Sequence, residues 1–287
     1  MLSRRRIDMM ATKYPHATFW LKTRTEKLQT ADGKEVSVYE LKVDLAQTAK
    51  VTAWAKHFRE HYCLDSMLDR MRSGTGKTRA QYLTDLKFPD ATEDFGPATR
   101  SGDFAEILVA DLLEHYYGYW VPRTRYGDKK VRNESPKGTD VFGFKLVNGD
   151  PAKPSPRDSA IAVESKAQLK GRKAEARLQD AVDHSRKDWE KFRLGESLNA
   201  AKQRLYDLSR DDEALRVERF QDPLGRPYVK ESGAVAVYCS TLYNEMIVAA
   251  TDCKEHDNRD NLMLVVVHGR ALMSLVHALY GSAADEA

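Results

Sequence analysis

A run of six apolar residues, Leu262-Met263-Leu264-Val265-Val266-Val267, constrains the fold more than any other stretch of the 287-residue chain. A strand sends alternate side chains to opposite faces, so an uninterrupted apolar strand needs cover on both. The cover must come from the chain's own core or from another subunit, and for this strand we expect mainly the core. Around it the sequence reads strand (Ala234 to Cys239), helix (Thr241 to Ala250), polar turn (Asp252 to Asn261), the apolar strand (Leu262 to His268) and helix (Ala271 to Tyr280). Such alternation is the punctuation of an α/β fold.

Upstream, Phe19 to Leu28 and Glu35 to Val43 alternate around Asp32-Gly33 and predict a hairpin. From Leu45 to Met71 the apolar positions Val51, Trp54, Phe58, Tyr62 and Met67 follow helical spacing, with a stop at Ser73-Gly74. A second helix is expected from Gly102 to Tyr117. Ser101 would be its N-cap, Ala105, Val109, Leu112, Leu113 and Tyr116 its buried stripe, and Glu106 lies beside that stripe. Strands follow over Gly138 to Val147 and Ala160 to Leu169, separated by the loop Asn148 to Ser159. Past Gly171 a long amphipathic helix aligns Ala174, Leu178, Ala181, Ser185, Trp189 and Phe192, and another, about Ser197 to Val217, is expected antiparallel to it. The expected organisation is a hairpin-and-helix extension over residues 1–98 and a main domain over 99–287.

The charge balance, 46 basic against 43 acidic residues, does not by itself point to nucleic acid. Local clustering of Lys and Arg would, because phosphate neutralisation supplies most non-specific affinity. Cys63, Cys239 and Cys253 form no C-x-x-C pair and imply neither a disulfide framework nor a cysteine-rich zinc site. Neither Met1 to Arg6 with the following Ile7 to Tyr14, nor any later segment, has the apolar run of a signal peptide or membrane span, so a cytoplasmic location is expected.

The chemistry-bearing residues are Asp140, in Lys137-Gly138-Thr139-Asp140-Val141-Phe142, and Glu164 and Lys166, which follow the apolar Ile161-Ala162-Val163. Carboxylates on adjacent strands can point into one cleft, and a Lys two residues after a Glu shares its face. Hydrolysis of a phosphodiester needs that set: acids for a hard divalent cation, and a positive group for the developing charge. An acid-x-Lys triplet alone is common here, as in Glu40-Leu41-Lys42 or Asp85-Leu86-Lys87, and a cross-strand salt bridge is the plainer account of one. Order distinguishes Glu164-x-Lys166: a helix with Glu106, a strand with Asp140, the acid-x-Lys strand, then a basic amphipathic helix.

That order resembles the PD-(D/E)XK nuclease superfamily over roughly residues 100 to 195. The resemblance implies a restriction-endonuclease-like core, a mixed sheet flanked by helices. It also implies Mg2+ or Mn2+ held by Asp140, Glu164 and Glu106, a water oriented or activated by Lys166, and DNA as substrate. The motif's proline is not adjacent to Asp140; the nearest is Pro136. Arg100 to Leu108, with the two later motifs, is also similar to the HamA-type nuclease subunit of the Hachiman anti-phage system, which implies a helicase (ATPase) partner and a role in antiviral defence.

Two other motifs compete. Ser73-Gly74-Thr75-Gly76-Lys77-Thr78 lacks the upstream glycine of a phosphate-binding loop, Met71 standing there, and reads as a helix-terminating loop. His57-Phe58-Arg59-Glu60-His61 matches the H-x-x-E-H pattern of a zinc peptidase, with Glu134 as a candidate third ligand; the plainer account is two histidines at the margin of a buried stripe. A DNA-binding or assembly subunit without catalysis is a further alternative. Lys170, Arg172, Lys173, Arg177, Arg186, Lys187, Lys191 and Arg193 either flank a nucleic-acid cleft or form a solvated face with the acids between them.

Overall fold

The computed structural model describes residues 16–24, 27–189 and 193–287. Among these, strands β1 (Leu21–Thr23), β2 (Leu28–Gln29), β3 (Glu35–Leu41), β4 (Val141–Lys145), β5 (Ser159–Gln168), β6 (Val229–Cys239) and β7 (Leu262–Gly269) form one mixed sheet in the order β1-β3-β7-β6-β5-β4, with β2 also on β3. β3, β7, β6 and β5 run parallel, while β4 is antiparallel to β5 and β1 and β2 antiparallel to β3. Helices are α1 (Thr48–Glu60), α2 (Asp65–Arg72), α3 (Gly96–His115), α4 (Arg177–Ser185), α5 (Arg193–Asp207), α6 (Asp211–Glu218) and α7 (Leu272–Asp285). The expected class holds: a mixed α/β fold whose sheet is flanked by helices, consistent with a restriction-endonuclease-like core.

The apolar run lies where its composition requires. β7 sits between β3 and β6, and its side chains divide with period two. Val265 and Val267 enter a core with Trp54 and Phe58 of α1, Ile107 and Leu108 of α3, and Leu275 and Leu279 of α7. Leu262, Leu264 and Val266 enter a second core with Leu178, Ala181 and Val182 of α4. A third, beneath α5 and α6, covers Phe144, Ala160 and Ala162 at the β4–β5 end. The chain's own core covers both faces.

Several predicted helices are divided. The stretch from Leu45 breaks after His61, where Leu64 is extended and Asp65 opens α2. The break brings Asp65 onto the buried Arg59, Nε and Nη2 donating to its two oxygens at 2.8 and 2.9 Å, while Nη1 reaches the Ala283 carbonyl. α3 begins at Gly96 rather than Gly102, with Pro97 in its first turn, where a missing N–H costs nothing. Ser101 is therefore not an N-cap: inside the helix its hydroxyl donates to the Pro97 carbonyl, one turn back. The amphipathic segment past Gly171 is helical only over α4, then tightens into a 3-10 turn at Arg186–Trp189; Phe192 lies outside the described residues. The expected helix over Ser197 to Val217 is α5 and α6, separated by Ser209 at φ +55°, with the Arg210 N–H closing on the Leu205 carbonyl. Between Thr241 and Ala250 only Glu245–Ala249 is helical, capped by Asn244. The hairpin turns at Gly33, whose φ of +81° suits a residue without Cβ.

Candidate active site

The β4–β5 pairing sets the site. Val141 pairs with Val163, so one step further Asp140 stands across from Glu164, with Lys166 on the same face as Glu164. Asp140 is fixed to the neighbouring strand because its Oδ2 accepts the Ser165 N–H at 3.1 Å. α3 delivers Glu106 to the same place. Glu106, Asp140, Glu164 and Lys166, the four residues singled out in the sequence, all line one open cleft of about 660 Å³.

Each acid meets a cation. Arg125 lies with Nε 2.8 Å from Glu106 Oε2 and Nη2 3.2 Å from Asp140 Oδ1, and the Tyr126 hydroxyl donates to Glu106. Lys166 Nζ is 2.7 Å from Glu164 Oε1, Arg193 Nη2 3.4 Å from its Oε2, and His184 Nδ1 3.5 Å from Oε1. For Glu106 and Asp140 burial outweighs these cations. Burial and the Asp140 charge push the Glu106 carboxyl up to about 8, against Arg125. Burial and the Glu164 charge push Asp140 up to about 6.

Asp188, a further acid, lies beneath the cleft in the 3-10 turn after α4, its carboxyl pushed up to about 7 by burial. Arg125, Arg193, His184 and Asp188 were not among the sequence candidates as site residues. Arg193 and Asp188 stood in a run of alternating charge with no sign of which would turn inward, and Arg125 lay in an unassigned loop.

Of the basic residues noted in the sequence, Lys170, Arg177 and Arg193 line the cleft. Lys137, Lys170, Arg172 and Lys173 are exposed around it and form no ion pair among the described residues. Arg177 is held by Glu175 and Asp180, and Arg186 by Asp257; Lys191 lies outside the described residues.

The H-x-x-E-H stretch gathers differently from a peptidase site. His57 of α1 and His61, the residue just past its end, face Asp111 of α3, the potential ligand atoms all within 4.8 Å of one another. Asp111, not Glu134, joins the pair, and Glu60 is exposed. A cation already occupies the group: Arg123 Nη1 donates to His61 Nε2 at 2.8 Å, and its Nη2 lies 2.8 Å from Asp111 Oδ1 and 2.6 Å from Glu114 Oε2. The part-buried Arg123 guanidinium thus already balances the charge of Asp111 and Glu114. At Ser73–Thr78, Thr78 caps the short helix Arg79–Tyr82 in a capping box and Lys77 pairs with Asp85 at 2.7 Å, as expected of a helix-connecting loop.

A family model for HamA matches residues 16–283, a span that takes in every site residue above and the N-terminal strands. The chain belongs to the HamA family. HamA proteins are components of the Hachiman anti-phage defence system, which has more than one component. No curated protein matches the chain. Among the described residues, no helix is long and apolar enough to cross a membrane.

Proposed function

We propose that this HamA protein is a metal-dependent DNA endonuclease, the effector of its defence complex, working with a helicase subunit. One observation carries the reading: Glu106, Asp140, Glu164 and Lys166 share a single cleft with unpaired lysines and an arginine at its rim. The donor set fits a hard divalent cation, because it consists of carboxylate oxygens from Asp140, Glu164 and Glu106, and because Glu106 and Asp140, which burial and a neighbouring acid hold above the ordinary range, gain from a divalent partner. Bound there, Mg2+ or Mn2+ would neutralise the scissile phosphate and acidify a water.

The chain's own residues supply the rest. Lys166 offers a positive charge to orient the attacking water or steady the phosphate, and its neighbour Glu164 keeps the ammonium in the cleft. Lys137, Lys170, Arg172 and Lys173 offer charge to backbone phosphates on either side.

The test is plasmid DNA with Mg2+ and the purified chain, with and without any helicase encoded beside it. Expected is Mg2+-dependent cleavage that Glu164→Ala abolishes, and that in the complex requires ATP or DNA ends. Equal cleavage by the Glu164→Ala protein, or none under any condition, would remove the nuclease reading. A chain that ignores the helicase on size exclusion and cuts freely would remove only the partner.

A further inference from the structure

Asp188 is a buried acid beneath the cleft that no part of the proposed reaction uses. In sequence it is one charge among many. In the fold its side chain is wholly buried, with Oδ1 accepting the Thr139 hydroxyl at 3.0 Å and lying 3.4 Å from Arg193 Nε. Among the described residues, its Oδ2 has no hydrogen-bond partner. Arg193 in turn donates from Nη2 to the Gly138 carbonyl at 2.8 Å and reaches Glu164 at 3.4 Å. Ser197, one turn along α5, accepts the Thr139 N–H at 3.0 Å. Its Oγ sits where a Cβ on Gly138 would fall, 2.5 Å away, and Gly138 adopts φ +100°. The two residues before Asp140 are thus held by three side chains from the α4–α5 junction.

A buried carboxylate with an unpartnered oxygen is a net cost to stability where desolvation exceeds what one hydroxyl and one guanidinium at 3.4 Å return. Core packing gives no reason for an acid here, because an apolar or amide side chain of similar size would fill the same space. What an acceptor oxygen at this position provides, and an apolar side chain does not, is a joint grip on Thr139, which precedes Asp140, and on Arg193, which touches Glu164.

We propose that Asp188 is a positioning residue for DNA cleavage, acting through Thr139 and Arg193 to hold Asp140 and Glu164 at a fixed separation. The proposal rests on the nuclease reading, and two measurements keep the two apart. The first is cleavage by Asp188→Ala and Asp188→Asn, with Glu164→Ala as the inactive control and thermal melting recorded for each. Expected is a fall in kcat of roughly tenfold to a hundredfold for Asp188→Ala, as displacements of about 1 Å in catalytic groups produce, with the melting temperature unchanged or raised. Asp188→Asn keeps an acceptor oxygen and should recover most of the loss. Wild-type cleavage by Asp188→Ala, or a loss no larger than its unfolded fraction, would overturn the proposal.

The second is amide hydrogen exchange, which reads positioning whether or not the chain cuts DNA. Asp188→Ala should speed exchange at the Thr139 amide, bound to Ser197, and at the Ser165 amide, bound to Asp140, while the centre of β5 stays protected. Unchanged exchange at both amides would overturn it independently of any activity.

Discussion

Three basic side chains converge on Glu164, and one arginine spans Glu106 and Asp140. Replacing a member of this set removes charge rather than core volume. Asp140→Ala, Glu164→Ala and Lys166→Ala should therefore each lower cleavage by about a hundredfold or more with little change in melting temperature, checked by initial rates and calorimetry. Glu106→Ala should cost less, because water can replace a supplementary ligand. The acids also set a pH dependence. Glu106 and Asp140 keep their protons above the ordinary carboxylate range, so a cation must displace them. Mg2+ affinity, measured by calorimetry in buffers of differing ionisation heat, should rise between about pH 6 and 8 with proton release. Asp140, Glu164 and Lys166 were legible in the sequence because a strand's period of two and an antiparallel partner suffice to bring them together. Arg125 and Asp188 were not, since Arg125 meets Asp140 15 residues on and Asp188 meets Thr139 49 residues back, and nothing local marks which charge turns inward.

At the scale of elements, what could be read was what a face dictates. The apolar β7 run demanded burial on both sides and received it, and Asp32-Gly33 does turn β2 back into β3, although the expected strand Phe19 to Leu28 is divided into a 3-10 turn at Ala17–Trp20, β1 and β2. What could not be read was where a helix stops when the partners are remote: at the end of α1 the buried Arg59 reaches the Ala283 carbonyl of α7, and the segment after α4 turns inward with Asp188 and Trp189, whose indole donates to Ser232. The loop between β5 and α4 is fixed by Gln168, which donates to the Lys173 carbonyl at 2.9 Å and accepts the Glu175 N–H at 3.0 Å. These bonds fasten the backbone that carries Lys170, which lines the cleft, and the exposed Arg172 and Lys173. Changing all three to Gln should leave melting unaltered, because they are exposed and unpaired, yet weaken DNA binding. The slope of log K against log salt should become shallower by about 0.9 for each phosphate no longer neutralised. An unchanged slope would place the nucleic acid elsewhere.

The whole molecule is tied together at a cluster that sequence reading weighed as a zinc site. His16, His57 of α1 with His61 just past its end, Asp111 and His115 of α3, and Arg123 come from four separate stretches of chain. His16 and His115 stack at 3.5 Å, and Asp111 receives the Ala17 N–H as well as its charged partners. Burial holds His16 down to about 3 and His61 well below its usual value, with Arg123 adding to the effect, and burial lowers His115 too. The sign follows: below the ordinary histidine value of 6.5 the unfolded chain takes up protons that the folded chain refuses, so stability is complete above that pH and declines as pH falls toward 3. Each refused proton costs about 1.4 kcal/mol per pH unit. Asp111 adds a later loss: burial would raise it, but His57 and Arg123 outweigh burial and hold it well below 3.8, so its contribution disappears only at still lower pH. Melting temperature should therefore fall steeply from pH 6.5 to 4.5, and His61→Gln, which cannot titrate, should flatten that limb. Because Arg123 supplies the cation, chelators should leave the neutral-pH melting temperature unchanged in the absence of added Mg2+. Stoichiometric zinc, lost together with stability on chelation and absent from the His57→Ala, His61→Ala protein, would instead show that a metal displaces the arginine.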